Sequence, residues 1–167
     1  VLEIGARGGL ATREIVEGLG SAVHYTVTDT SRLFLDRARQ VLGPVCGPIL
    51  SFALLDPDHD PVMQGFSLHG FDVIVSCNAL HRSRNIPVLL KQMSRLLMPG
   101  GLVLAPEITR GSPLQAVTVA LLEEGYRHLE DQRCDTGQPL LDPEGWERMF
   151  IEAGWSSARA VAPSAPE

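Results

Sequence analysis

The sequence predicts an open α/β fold, in which a mostly parallel sheet carries helices on both faces. Short apolar runs alternate with longer helix-like stretches, as in repeated strand-helix units. A glycine-rich turn, EIGARGG, directly follows the first run. The fourth run, FDVIVSC, is almost wholly apolar, which is typical of a strand buried on both faces.

Apolar runs and the breaks between them predict each element in turn. The predicted strands cover residues 1–4, 24–28, 49–55, 71–77, 102–105 and 155–161. The predicted helices cover residues 11–19, 31–42, 87–97, 114–129 and 143–153. Gly20 closes the first helix, Gly43 and Pro44 break the chain after the second, and a Pro99-Gly100-Gly101 turn introduces the fifth strand.

One domain accounts for this length. The chain has 167 residues, of which 44% are hydrophobic and 20% charged, as in an ordinary globular protein. We expect the domain to span residues 1–162, with a disordered Pro/Ala tail at 163–167. A strand that begins at residue 1 indicates a segment cut from a longer chain.

Charge and cysteine content exclude several functions. A net charge of -6 without a basic run argues against nucleic acid as a partner. No apolar run approaches the roughly 20 residues of a membrane span, and no signal peptide is visible. The three cysteines are far apart, which disfavours disulfides and a zinc or other metal site and indicates a reducing, cytoplasmic location.

The glycine turn and the residue after the second strand predict a nucleotide cofactor. Gly5, Arg7 and Gly9 occupy the three positions of a GxGxG turn, where backbone N–H groups at a helix N-terminus approach an anionic ligand. Asp29 ends the second strand, where a carboxylate can accept both hydroxyls of a ribose. Asp29 could instead cap the second helix.

Several motifs together resemble the class I S-adenosylmethionine-dependent methyltransferases. They are VLEIGARGG, YTVTD, LLDPDHDPVMQGF, FDVIVSCNALH, LLMPGGLVLAPEIT and EEGYRHLED. The NALH element, followed by a glutamate after the fifth strand, is similar more narrowly to the carbon-methyltransferase domains of polyketide synthases and hybrid peptide-polyketide synthetases. The resemblance implies a Rossmann-like fold, here without the family's lid before the first strand and without its last strand.

The resemblance implies a set of residues that bind S-adenosylmethionine. They are Glu3, Gly5, Arg7, Gly9, Asp29, Asp56 and Asn78. Asp56 would lie by the adenine amine, and Asn78 near the middle of the cofactor. Both have structural alternatives, since Asp56 sits in the turn-forming loop DPDHDP and Asn78 could simply cap a strand end.

Arg7 stands where the family has a glycine, and three outcomes are open. The guanidinium could pair with the methionine carboxylate of the cofactor. It could fill the pocket and leave the domain as a scaffold. It could also point to solvent beside Glu3 or Glu14.

His81 and Glu107 are the predicted catalytic residues. Each follows a central strand, and adjacent strands bring them close together. A histidine has an ordinary pKa of about 6.5, so its neutral imidazole can remove a proton from a carbon flanked by two carbonyls. A carboxylate on the other ring nitrogen fixes the tautomer. The alternative is a loop histidine at a strand end. The other histidines, His24, His59, His69 and His128, are expected on the surface or in local bonds.

The resemblance also implies the substrate and the partners. The substrate would be a β-ketoacyl thioester on an acyl carrier protein, within a megasynthase of several domains. Residues 114–129 would flank its entrance, with Tyr126 and Trp146 as aromatic candidates, although core packing explains such residues more often. A noncatalytic pseudo-methyltransferase module and an oxygen or nitrogen methyltransferase for a free small molecule are the alternative functions.

Overall fold

The computed structural model describes residues 1–20, 22–46, 49–112 and 127–161. The strands in these ranges are β1 (Leu2–Ile4), β2 (Tyr25–Asp29), β3 (Leu50–Leu54), β4 (Phe71–Val75) and β5 (Leu97–Leu104). The helices are α1 (Leu10–Leu19), α2 (Arg32–Cys46), α3 (Ile86–Leu96), α4 (Arg133–Thr136) and α5 (Pro143–Glu152). Two 3-10 turns, Val62–Gln64 and Leu80–Arg82, follow β3 and β4.

The five strands form one sheet in the order β3-β2-β1-β4-β5, and every pairing is parallel. In the register of the central strand, Leu2 lies between Thr26 of β2 and Ile74 of β4. Strand order reverses at β1 and β4, so a crevice opens beyond their carboxyl ends. This is where the sequence places its polar residues.

Two apolar cores cover the two faces of the sheet, which confirms the predicted fold class. Leu2 and Ile4 of β1 pack with α3 and α5, and Trp146 of α5 is buried in this core, as the packing alternative for that residue requires. On the other face, Tyr25 and Val27 of β2 pack with α1 and α2. Because side chains alternate along a strand, Glu3 points to the second face, away from Leu2 and Ile4.

The expected break at Gly43 and Pro44 is wrong, because α2 continues through both residues to Cys46. Leu35, Ala38 and Leu42 are buried along the face that α2 packs against the sheet. Tertiary packing of this kind outweighs the weak local preference of a glycine and the roughly 3 kcal/mol penalty of a proline in a helix.

The fifth strand begins earlier than predicted. Pro99, Gly100 and Gly101 lie inside β5, where the register against β4 shifts, and do not form a turn before it. Gly100 has a φ of 82°, and a Cβ at Gly101 would lie 2.9 Å from the carbonyl oxygen of Asp72. The two glycines therefore allow an irregular strand to continue past its neighbour.

The predicted sixth strand at 155–161 is also wrong, since the described range 127–161 contains no strand. The Trp155 indole donates to the carbonyl of Leu90 on α3 (3.3 Å) and meets the Phe150 ring edge-on at 5.3 Å. The Ala160 N–H donates to Glu147 Oε1 of α5 at 2.6 Å. These contacts hold the segment against α3 and α5.

The remaining predicted elements end within two residues of the observed ones, apart from those outside the described ranges. Of the predicted helix 114–129, residues 114–126, including Tyr126, lie outside, and Arg127 and His128 form a turn. The predicted tail at 163–167 also lies outside the described residues.

Candidate active site

The glycine turn after β1 is held by β2 and packs against the loop after β4. The N–H groups of Gly5 and Ala6 both donate to the carbonyl of Thr28, at 3.0 and 2.9 Å. Gly5 has a φ of 77°, and a Cβ there would lie 2.6 Å from the Cβ of Ala79. Glycine at this position therefore lets the loop that carries His81 approach the turn.

Gly9 is the N-cap of α1. Its φ is 86°, and a Cβ would meet Leu42 at 3.1 Å, so both backbone and space require glycine. No side chain caps α1. The helix N-terminus therefore leaves first-turn N–H groups available to an anionic ligand.

Arg7 adopts the left-handed conformation that its position demands, with a φ of 50°. Its N–H donates to Asp29 Oδ2 at 2.9 Å, and its side chain is exposed. Of the three open outcomes, the exposed side chain agrees with the one that points to solvent. Glu3 is not its neighbour there, because that carboxylate is buried and bonded to Thr12.

Asp29 organises the turn from the end of β2. The residue is 4% exposed, and its two carboxylate oxygens accept the N–H groups of Arg7 (2.9 Å) and Ser31 (2.8 Å). The second bond orders the entry to α2, which is close to the capping alternative. Each oxygen keeps a further lone pair, so this role leaves room for ribose hydroxyls.

Glu3 is a buried carboxylate in the middle of β1. Burial raises its pKa, the neighbouring charge of Asp29 adds to the rise, and the bond from the Thr12 hydroxyl (2.8 Å) opposes it. The Tyr25 hydroxyl is close enough to lower the pKa of Glu3 but does not complete a well-formed hydrogen bond. Glu3 Oε1 thus has no partner among the described residues.

Asp56 serves its own loop. One carboxylate oxygen accepts the N–H of Asp58 at 3.0 Å, and the other meets His59 Nδ1 at 2.9 Å. These bonds are those of the turn alternative. Contact with an adenine amine stays a prediction.

Asn78 ties the end of β4 to the segment after β5. It adopts a φ of 55°, and its N–H donates to the Pro106 carbonyl at 2.7 Å. Its Oδ1 accepts the N–H of Ile108 at 3.3 Å. The strand-end alternative thus describes its observed bonds, which join the two loops that carry His81 and Glu107.

The structure brings His81 and Glu107 together. Nδ1 of His81 lies 2.6 Å from Oε2 of Glu107, and the two side chains are 18% and 3% exposed. Glu107 Oε1 accepts the N–H groups of Ala79 (2.9 Å) and Leu80 (2.8 Å). With the Nδ1–H donated to the carboxylate, Nε2 is the ring nitrogen that keeps a free lone pair.

Three residues that the sequence did not single out hold the segment 78–85, which we call the dyad loop. Asp58 Oδ1 accepts the Ser83 hydroxyl (2.6 Å) and the Arg84 N–H (3.0 Å). Arg133, bonded to Asp131, donates to the carbonyls of His81 and Ser83 at 2.6 Å and to that of Arg84 at 3.5 Å. Asp58 belongs to the turn-forming loop DPDHDP, whereas Asp131 and Arg133 lie in no recognisable sequence motif.

Negative charge gathers at this edge of the sheet. The pKa of the Cys77 thiol is raised by burial and by the charges of Glu3 and Glu107. The charge of Asp29 in turn raises the pKa of Glu3. Three carboxyl groups, those of Glu3, Asp29 and Glu107, therefore belong to this edge of the sheet, and those that are charged favour a cationic ligand there.

A family model described as a methyltransferase domain matches residues 2–103, which is more than half of the chain. The chain belongs to this methyltransferase family. This membership confirms the enzyme class predicted from the sequence. It also agrees with the observed α/β fold.

Individual relatives of this methyltransferase domain include a polyketide synthase and two methyltransferases of known structure. The reducing polyketide synthase BOA6 of Botryotinia fuckeliana is 35% identical over 96% of the chain. The CurJ carbon methyltransferase superposes with a TM-score of 0.84 at 32% identity, and the trans-methyltransferase CalH, solved in complex with SAH, with a TM-score of 0.81 at 31% identity. Each of the two structural matches covers 92% of this chain.

The chain is a small part of these relatives. It spans 6% of BOA6, 40% of the CurJ structure and 43% of the CalH structure. Among the helices that the structure describes, none is both long and apolar enough to cross a bilayer.

Proposed function

We propose that this domain transfers a methyl group from S-adenosylmethionine to the α-carbon of a β-ketoacyl thioester carried by an acyl carrier protein. The single observation that carries the proposal is the pair formed by His81 and Glu107 at the open edge of the sheet. An imidazole oriented by a buried carboxylate is the arrangement of a general base. Methylation of an acidic carbon needs such a base, because the carbon must lose a proton before it can attack.

The described residues fit the cofactor. Asp29 has lone pairs left for a ribose, and the uncapped start of α1 at Gly9 suits the carboxylate of the methionine end. Glu3 supplies a buried acceptor, Oε1, without a partner in the described ranges. When bound, S-adenosylmethionine supplies an electrophilic methyl group on a positively charged sulfur, and the carboxylates of Asp29 and Glu107 favour such a charge.

The reaction begins with a proton transfer to the pair formed by His81 and Glu107. His81 Nε2 takes the α-proton of the substrate, the C–H bond breaks, and its electron pair stays on the substrate as an enolate. Glu107 Oε2 keeps its bond to Nδ1–H and stabilises the imidazolium that forms. Bound S-adenosylmethionine would supply the methyl group to this enolate and would leave as S-adenosylhomocysteine, and His81 returns the proton to solvent.

Known relatives support the context of the reaction. BOA6 is a polyketide synthase, CurJ is a carbon methyltransferase, and CalH was solved with SAH, the demethylated product of the proposed donor. These names favour carbon as the methyl acceptor and other synthase domains as partners. The carrier protein is the partner that would deliver an activated thioester.

Three variants of the full chain test the dyad, with acetoacetyl-pantetheine as substrate. We expect His81→Ala to lower kcat by roughly 10²- to 10⁴-fold and to leave a measurable residual rate, while the Kd for S-adenosylmethionine, measured by calorimetry, stays within two-fold. Glu107→Gln should lower kcat by roughly 10²- to 10⁴-fold, because the amide keeps the backbone bonds but favours the wrong imidazole tautomer. His24→Ala changes an exposed histidine and should match the parent. A parent chain without affinity for S-adenosylmethionine would instead support the noncatalytic module.

Proton exchange separates carbon methylation from methylation of oxygen or nitrogen. Without cofactor in D₂O, the parent chain should accelerate loss of the substrate α-proton signal above the buffer rate. His81→Ala should return exchange to the buffer rate. Absence of any acceleration by the parent would overturn His81 as the base.

A further inference from the structure

Arg133 is a buried charged residue, with an exposure of 1% that equals that of Glu3. Its Nε and Nη2 donate to the two carboxylate oxygens of Asp131, at 2.7 and 2.8 Å. Its Nη1 donates to the carbonyl of His81, and its Nη2 also to the carbonyl of Ser83, both at 2.6 Å. The guanidinium thus forms hydrogen bonds both to the backbone of the dyad loop and to the carboxylate of Asp131.

Two opposite charges hold this backbone from two sides. Glu107 accepts the N–H groups of Ala79 and Leu80, while Arg133 donates to carbonyls that follow. A carboxylate can only accept and a guanidinium can only donate, so neither can replace the other. His81 is bonded to both residues, to Glu107 through its ring and to Arg133 through its carbonyl.

Asp131 fixes the guanidinium to α3. Its Oδ2 accepts the N–H of Ile86, the first residue of α3, at 2.9 Å, and its Oδ1 accepts the N–H of Arg133 at 3.0 Å. Burial alone would raise the pKa of Asp131, but the bonds from Arg133 and Ile86 outweigh burial and lower it. The carboxylate therefore stays charged, and Arg133 is held at a set distance from the helix that follows the dyad loop.

We infer that Arg133, locked by Asp131, is a positioning residue that sets where the His81 imidazole lies. The inference rests on the proposed function, in which His81 is the base. Burying a charged pair is expensive, and apolar residues of similar volume often stabilise a fold equally well. An arginine that donates hydrogen bonds to two carbonyls of one short turn gives that turn a defined position. Such a position matters because a shift of about 1 Å in a catalytic group can lower a rate 10²-fold.

The test compares two arginine-to-lysine variants of the full chain. Arg133→Lys keeps the charge but loses the fork, whereas Arg95→Lys makes the same change at a half-exposed arginine that pairs with Asp60. For Arg133→Lys we expect kcat with acetoacetyl-pantetheine to fall 10- to 100-fold, with KM and the Kd for S-adenosylmethionine within two-fold. Cofactor-free α-proton exchange should fall by the same factor as kcat. Arg95→Lys should stay within two-fold in every measurement.

A second background tells positioning from general support of the fold. In a His81→Ala chain, a further Arg133→Lys change should alter the residual rate less than two-fold, because it acts through His81. A 10-fold further loss there, a parallel loss of cofactor affinity, or a folded Arg133→Lys chain with the parent kcat would each overturn the inference. Should Arg133→Lys fail to fold, Asp131→Asn, which keeps the guanidinium, replaces it and should lower kcat 3- to 10-fold at constant KM.

Failure of the proposed function would look different. A His81→Ala chain with the parent kcat overturns that proposal and this inference with it. A His81→Ala chain with a strongly lowered kcat beside a fully active Arg133→Lys chain overturns this inference alone.

Discussion

At the scale of single residues, Arg7 shows how the glycine turn accommodates a side chain. A left-handed φ costs a residue other than glycine about 1–2 kcal/mol, and Arg7 has a φ of 50° without a compensating side-chain bond to any described residue. The turn keeps its shape because the Arg7 N–H is bonded to the buried Asp29. The strain is therefore local and does not reach the N-terminus of α1.

Arg7→Gly should relieve that strain. Glycine adopts positive φ freely but also gains about 0.5–1 kcal/mol of freedom in the unfolded chain, so we expect the free energy of unfolding to rise by about 0.5–1 kcal/mol. Urea unfolding measures the change. Glu14→Gly, in the exposed middle of α1, is the matched control and should lower stability by about 1 kcal/mol. Equal losses in the two variants would contradict the strain at position 7. Cofactor affinity should not change, since the Arg7 side chain is exposed.

At the scale of elements, β5 depends on two glycines that do different work. A Cβ at Gly101 would lie only 2.9–3.0 Å from the Asp72 carbonyl, the Leu97 side chain and the Met98 carbonyl, whereas a Cβ at Gly100, which has a positive φ, would meet open space. The irregularity they permit determines how far β5 runs beside β4. It therefore also fixes where the chain leaves the sheet to present Glu107.

Gly101→Ala should thus cost more than Gly100→Ala. We expect a loss of at least about 2 kcal/mol for the first, because a new Cβ would lie 2.9 Å from a backbone oxygen that cannot move without breaking the β4–β5 pairing. Gly100→Ala should lose only about 1 kcal/mol, the penalty of its φ. Thermal or urea unfolding provides the comparison. Similar losses would show that the bulge tolerates a side chain at 101.

The elements also show what the sequence can and cannot reveal. Periodicity located β1 to β4 and α3 within two residues, because buried strands and amphipathic helices carry their pattern locally. The break at Pro44 and the strand at 155–161 were wrong, because packing against the sheet and the anchoring of Trp155 are long-range effects. The same limit applies to the site. His81 and Glu107 follow strands whose neighbours can be inferred, whereas Arg133 reaches the dyad loop from a segment about 50 residues away in sequence.

At the scale of the whole molecule, the two halves of the sheet are joined by the β1–β4 pairing and also touch beyond it, where the glycine turn meets the dyad loop. The half formed by β1, β2 and β3 carries the glycine turn and Asp29, and the half formed by β4 and β5 carries the dyad loop. Gly5 and Ala79 bring these halves together, since a Cβ at Gly5 would lie 2.6 Å from that of Ala79. The glycine turn and the loop that carries the proposed base, His81, are therefore also linked by this contact.

A double-mutant cycle tests this coupling. Gly5→Ala should lower the free energy of unfolding by about 3 kcal/mol, from the φ of 77° and from the collision with Ala79. Ala79→Gly in the same chain should recover at least about 1 kcal/mol of that loss, because it removes the collision and leaves only the backbone strain. Gly5→Ala should also weaken the affinity for S-adenosylmethionine, and Ala79→Gly should restore part of it, because the glycine turn can then return to its position.

Gly9→Ala combined with Ala79→Gly is the control cycle. A Cβ at Gly9 would meet Leu42 and Ala38, which lie on α2, so its effect should add to that of Ala79→Gly within about 0.5 kcal/mol. Additivity in the Gly5 cycle as well would mean that the dyad loop yields to the new methyl group. In that case the distance between the glycine turn and His81 would be set by the sheet alone, and the glycine turn and the dyad loop would move independently.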